Sequence, residues 1–112
     1  MRRELPIPPQ ALDAPRSVEM IRVWLASEHV HCVLNIGFWE GRGHDERDCW
    51  GILLADMLHH IANAHQSEYG REPQETIDRI RAALSVELDH PTSERLGGFV
   101  ARRDDTEVGE SK

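Results

Sequence analysis

The sequence predicts a small α+β domain: an antiparallel β-hairpin followed by two helices, in the order β-β-α-α. Three observations predict it. Residues 18–38 hold two apolar runs that alternate with period two, the period of a strand. Residues 49–69 repeat apolar side chains at i, i+3, i+4 and i+7, the period of a helix. A second, shorter helical pattern lies between Pro73 and His90-Pro91. The chain has 112 residues, which fits one hydrophobic core. A hydrophobic share of 39% beside 29% charged residues argues against disorder throughout.

Residues 1–15 contain Pro6, Pro8, Pro9 and Pro15, which remove amide donors and fix φ, so an extended arm is expected there. Leu5, Ile7 and Leu12 are the side chains that would pin it. Residues 16–91 form the domain proper. In its first strand Ile21, Val23 and Leu25 alternate with Met20, Arg22 and Trp24. Ser27-Glu28-His29 breaks the run as a short turn without an Asn-Gly signal. The second strand places Val30, Cys32, Leu34, Ile36 and Phe38 on one face, with His31, Val33 and Asn35 on the other.

A charged loop with two glycines covers residues 40–48, and Asp48 is the expected N-cap of the next helix. That helix runs from Cys49 to Tyr69 with a stripe of Trp50, Leu53, Leu54, Met57, Leu58 and Ile61, and Gly70 stands at its C-cap. In the second helix Ile77, Ile80, Leu84 and Leu88 make a narrower stripe. Residues 92–112 read as a polar, largely disordered tail. A lone hairpin is marginally stable, so the helices are expected to cover one of its faces. Its edges stay open, and pairing across a two-fold axis would complete a four-stranded sheet. A homodimer is therefore expected, edge-paired or swapped.

The net charge of −7 disfavours a nucleic-acid backbone or an anionic membrane as partner, since both call for clustered Lys and Arg. Cys32 and Cys49 form no CxxC pair, and no apolar run of signal or membrane-span length occurs, so two reduced thiols in a cytoplasmic protein are expected.

Two stretches carry a resemblance: the Glu19-x-x-Arg22-x-Trp24 strand, and the Trp50-Gly51-Ile52-Leu53-Leu54-Ala55-Asp56 helix start. Over about residues 5–70 the chain resembles a family of short proteobacterial proteins, domain-of-unknown-function family 5076. The resemblance implies a bacterial, cytoplasmic protein and brings no activity with it.

Seven histidines invite a metal site, which needs three or four converging ligands. His59 and His60 are adjacent on a helix, and His60 and His65 are five apart, so the HExxH pattern is absent. Scattered surface histidines, no cofactor and no catalytic constellation are expected. His65 falls on the apolar stripe and reads as a packed or partner-contacting residue. Cys49 at a helix start, with His31 or His44, is the sharpest candidate for a reactive or metal-binding site. Met20, Trp24, Val33 and Trp39 are candidates for an apolar patch on the sheet face away from the helices, open to an interface, the arm or a ligand. The favoured reading is a non-catalytic interaction or regulatory module that binds itself and an unknown protein partner. The alternative is a small-ligand or metal-binding domain, or an enzyme, using the 40–48 loop with His31 and Cys49.

Overall fold

The two alternating runs become strands β1 (Ile21–Ala26) and β2 (His29–Ile36) in a computed structural model, which describes residues 1–92, 95–103 and 107–111. They pair antiparallel from Ile21↔Leu34 to Ala26↔His29. Residues directly opposite each other share a face. One face therefore carries Ile21, Val23, Leu25, Val30, Cys32, Leu34 and Ile36, and is apolar throughout. The other carries Arg22, Trp24, His29, His31, Val33 and Asn35.

Only Ser27 and Glu28 lie between the strands, and both have positive φ, 52° and 64°. That is the requirement of a type I′ turn, which suits the twist of a hairpin but strains residues with a Cβ. Replacing the pair with Asn-Gly (Ser27→Asn with Glu28→Gly) is expected to raise stability by about 1 kcal/mol or more. A urea midpoint that does not rise would contradict this.

Helix α2 (Glu46–Tyr69) starts three residues before the expected Cys49. The N-cap is Asp45, not Asp48: the Asp45 carboxylate accepts the Arg47 N–H at 2.9 Å and a fork from the Arg47 guanidinium. Those bonds, the side-chain one foremost, hold the Asp45 carboxyl below its usual pKa. Asp48 lies in the first turn, where the helix dipole favours an acid. At the other end Gly70 has φ 70° and donates its N–H to the carbonyl of Gln66, the left-handed cap that glycine adopts without penalty. Helix α3 (Pro73–Asp89) begins with Pro73 in its first turn, its N-cap Glu72 accepting from the Gln74 and Glu75 amides. It stops at His90, ahead of Pro91.

The N-terminal arm holds one helical turn, α1 (Pro9–Asp13), where the sequence suggests only extended chain. Pro9 occupies a first-turn position, where its missing N–H costs nothing. The expected pinning is also corrected: Leu5, Ile7 and Leu12 are all exposed. What ties the arm is polar, an ion pair of Glu4 with Arg22 and the Ser17 hydroxyl donating to the Ala11 carbonyl.

The polar tail contributes two more strands, β3 (Arg95–Arg103) and β4 (Glu107–Ser111), in place of the expected disorder. β3 pairs parallel to β2, from Val30↔Arg95 to Ile36↔Ala101, and β4 pairs antiparallel to β3. The sheet order is β1-β2-β3-β4, with α2 and α3 forming the crossover between the parallel strands. A four-stranded sheet thus arises within one chain. Hydropathy did not signal β3, because its support is backbone pairing to a strand sixty residues upstream.

The helices depart most from expectation. α2 and α3 pack on each other, and among the described residues neither is laid across the sheet. Among the described residues the buried apolar side chains are Ala62 and Ile77, 1% and 8% exposed, one on each helix. The radius of gyration is 16.2 Å, against about 13 Å for a compact domain of this length. The accessible surface is 9841 Å², roughly one and a half times the about 6,300 Å² of a compact chain of this mass.

Candidate functional site

The turn between β2 and α2 sets where the helices go. Glu46 is the first residue of α2 and only 8% exposed. Its Oε1 accepts the N–H of Gly37 at 2.8 Å and that of Trp39 at 3.2 Å. Trp39 stacks edge-on against Trp50 of α2, ring centroids 5.5 Å apart, and Phe38 packs edge-on against Trp39. The Arg42 guanidinium lies 5.0 Å over the Phe38 ring. A carboxylate and three aromatic rings thus fix the angle at which α2 leaves the sheet. The Trp50 Nε1 is buried there without a hydrogen-bond partner among the described residues.

From that corner α2 presents two faces about 100° apart. Ala55 and Leu58 line a shallow, mainly apolar groove with Ile77 and Leu84 of α3, bordered by His59, Gln74 and Arg81, and Ala62 is buried one turn further along α2. Leu54, Met57 and Ile61 point elsewhere and are exposed. These three belong to the stripe that the helical period marks as core. On the sheet Val23 and Leu25 are exposed as well, Leu25 at 81%. The chain therefore carries an exposed apolar stripe on α2 and a partly open apolar face on β1 and β2, with Val23 and Leu25 exposed and its other side chains half-buried; Val33 is exposed on the opposite sheet face.

The residues singled out from the sequence are dispersed. Trp24 and Val33 share the mixed sheet face. Met20 continues that face by alternation, its carbonyl accepting the Asn35 N–H at 3.0 Å. Trp39 is not on the sheet; it lies in the turn against Trp50, because β2 ends at Ile36. His65 is near the far end of α2. Its Nδ1 accepts from the Arg71 guanidinium at 2.9 Å, and its ring lies 5.4 Å from that of Tyr69. Arg71 in turn sits 4.6 Å over Tyr69, so the three close the corner between the helices.

His31, His44 and Cys49 are not gathered. His31 donates from Nε2 to the Ala26 carbonyl, at the hairpin end of β2 and about 16 Å along the strand from Ile36. His44 is exposed in the loop, and Cys49 is a half-buried free thiol in the first turns of α2. Among the described residues no group of three or more His, Cys, Asp or Glu could hold one metal ion. None of the described helices is long and apolar enough to cross a membrane.

Two features escaped the sequence reading. Glu46 looks like one acid among many in a charged loop, and only its two backbone partners reveal its role. The exposed Val23, Leu25, Leu54, Met57 and Ile61 are marked by the sequence as apolar, which a single chain read alone equates with core.

Fold and surface together define a small α+β protein with a mixed four-stranded sheet, a helical hairpin and two uncovered apolar faces. The chain belongs to the family described as Domain of unknown function (DUF5076), whose model matches residues 4–92. No curated protein matches it significantly. Among solved structures it is similar to one described as that of "a putative pyruvate dehydrogenase" from the photosynthetic bacterium Rhodopseudomonas palustrus CGA009. The TM-score is 0.58 at 21% identity, covering 96% of this chain and 98% of that one. At that identity the likeness bears on the fold alone.

Proposed function

We propose that the chain is a protein–protein interaction module with no catalytic centre of its own. The observation that carries this reading is the pair of uncovered apolar faces, one on α2 and one on β1–β2. Exposed apolar side chains grouped on one face mark an interface, because leaving them wet forgoes about 25 cal/mol for each Å². The competing reading, an enzyme or ligand site built from the loop, requires His31, His44 and Cys49 to converge, and their positions on three separate elements give it no support.

Footprinting in cell extract tests the proposal. Leu5 and Leu25 have nearly equal exposure, 88% and 81%, so a carbene or hydroxyl-radical label should mark them equally if both face water. An interaction module is expected to show Leu25 labelled several-fold less than Leu5. Equal labelling would overturn the reading, and a Cys49 thiol alkylated far faster than a model thiol would favour the enzyme instead.

A further inference from the structure

Resting on that reading, we infer that the partner covering both faces is a second copy of this chain, with the α2 stripe of each copy laid on the apolar sheet face of the other. Three observations carry it. The first is fit. The exposed part of the α2 stripe, from Leu54 to Ile61, is about 11 Å long, and β2, with eight residues, is about 26 Å long. The sheet face is thus long enough to seat the whole exposed stripe in a two-layer arrangement.

The second is reciprocity. Beside the exposed Leu84, Val86 and Leu88 of α3, each copy exposes the α2 stripe and the apolar sheet face, and a two-fold axis that sets stripe on sheet covers these four surfaces at once. Pairing stripe with stripe would leave both sheets wet. Pairing β1 edge to β1 edge would leave both faces wet. The corner held by Glu46 and the Trp39–Trp50 stack directs the helices away from their own sheet, which leaves that sheet free for another chain.

The third is area and charge. The surface of 9841 Å² exceeds that of a compact chain by about 3,500 Å². Covering half of the excess on each of two copies gives an interface of about 3,500 Å², within the range of obligate dimers. Leu54, Met57 and Ile61 and the β1–β2 part of the chosen sheet face bring no Asp, Glu, Lys, Arg or His into the contact; Arg95, opposite Val30 on β3, stands at its border. Arg22, His29 and His31 lie on the opposite sheet face and stay in water. This moves the interface from the Trp24-bearing face to the one bearing Val23 and Leu25.

Cys32 lies on the apolar sheet face and supplies a built-in probe. In a Cys49→Ser background, Leu54→Cys, Met57→Cys and Ile61→Cys step a second thiol along the stripe in three separate variants. The purified full chain is expected to sediment at twice its 12.8 kDa mass. On mild oxidation at least one variant should give a covalent dimer through Cys32. Met57→Glu should weaken association by about 100-fold or more, because it buries an unpaired charge. A monomer at tens of micromolar overturns the inference. So does a thiol pair that closes within one chain, which would show the helices folding onto their own sheet, and so does a dimer in which none of the three variants cross-links. A monomeric purified chain whose Leu25 is still protected in extract removes the second copy as partner but leaves the interaction reading standing. Full labelling in extract removes both.

Discussion

Replacing Glu46 with alanine is expected to destabilise the fold by about 3 kcal/mol, among the largest effects of any single polar substitution in this chain. The reason lies in what the carboxylate holds. One oxygen accepts the amides of both Gly37 and Trp39. Bonds to a charged acceptor contribute about 1.5–3 kcal/mol, and alanine would leave both amides without a partner in a part-buried turn. The helix dipole adds to the loss, since Glu46 is in the first turn, where an anion is favoured. Glutamine separates the terms: it keeps a neutral carbonyl acceptor and is expected to cost only about 1 kcal/mol. Urea unfolding of the three proteins at neutral pH would measure this, with the slope unchanged if the denatured state is the same. A Glu46→Ala midpoint within error of the parent would mean that the Trp39–Trp50 stack alone holds the corner. If the helices dock on a second copy, Glu46→Ala should also weaken association, because the angle at which α2 leaves the sheet would no longer be fixed.

Local chemistry was legible in the sequence and long-range placement was not. Pro73, Gly70 and the His90-Pro91 pair marked helix ends because each acts through its own backbone. Alternation over residues 21–36 marked both strands and even the division of faces, since period two needs no tertiary information. The N-cap was misplaced by three residues because Asp45 and Asp48 are chemically equal candidates. Only the loop geometry selects Asp45, through its bonds to Arg47. β3 was missed because residues 95–103 include two glycines and three arginines, and they are strand only by pairing with β2. The apolar stripe on α2 is legible from the helical period alone. Hydropathy says that Leu54, Met57 and Ile61 leave water; it does not say which molecule takes them.

The same distinction sets the expected result for Ile77→Ala. Ile77 is 8% exposed and lines the groove between α2 and α3 with Ala55 and Leu58. Truncating a buried isoleucine costs about 2–5 kcal/mol, depending on how far the cavity collapses. This site has little else to fall back on. Leu84, Val86 and Leu88 further along α3 are exposed, so the helical hairpin is held mainly at its closed end. A loss of about 3 kcal/mol is expected, or more than about 10 °C in melting temperature for a domain of this size. Ile77→Val, which removes one methylene, should cost about 1 kcal/mol. The dependence on protein concentration carries the further information. In a monomer the melting temperature of Ile77→Ala is the same at every concentration. In a dimer whose helices rest on a partner's sheet, both parent and variant should melt higher as concentration rises, because association favours the folded state by mass action. The gap between them should stay open, since Ile77 joins the two helices within one chain and not across the interface. A variant that loses less than about 1 kcal/mol would mean that the contact between α2 and α3 contributes little, and that the helices owe their order to whatever covers Leu54, Met57 and Ile61.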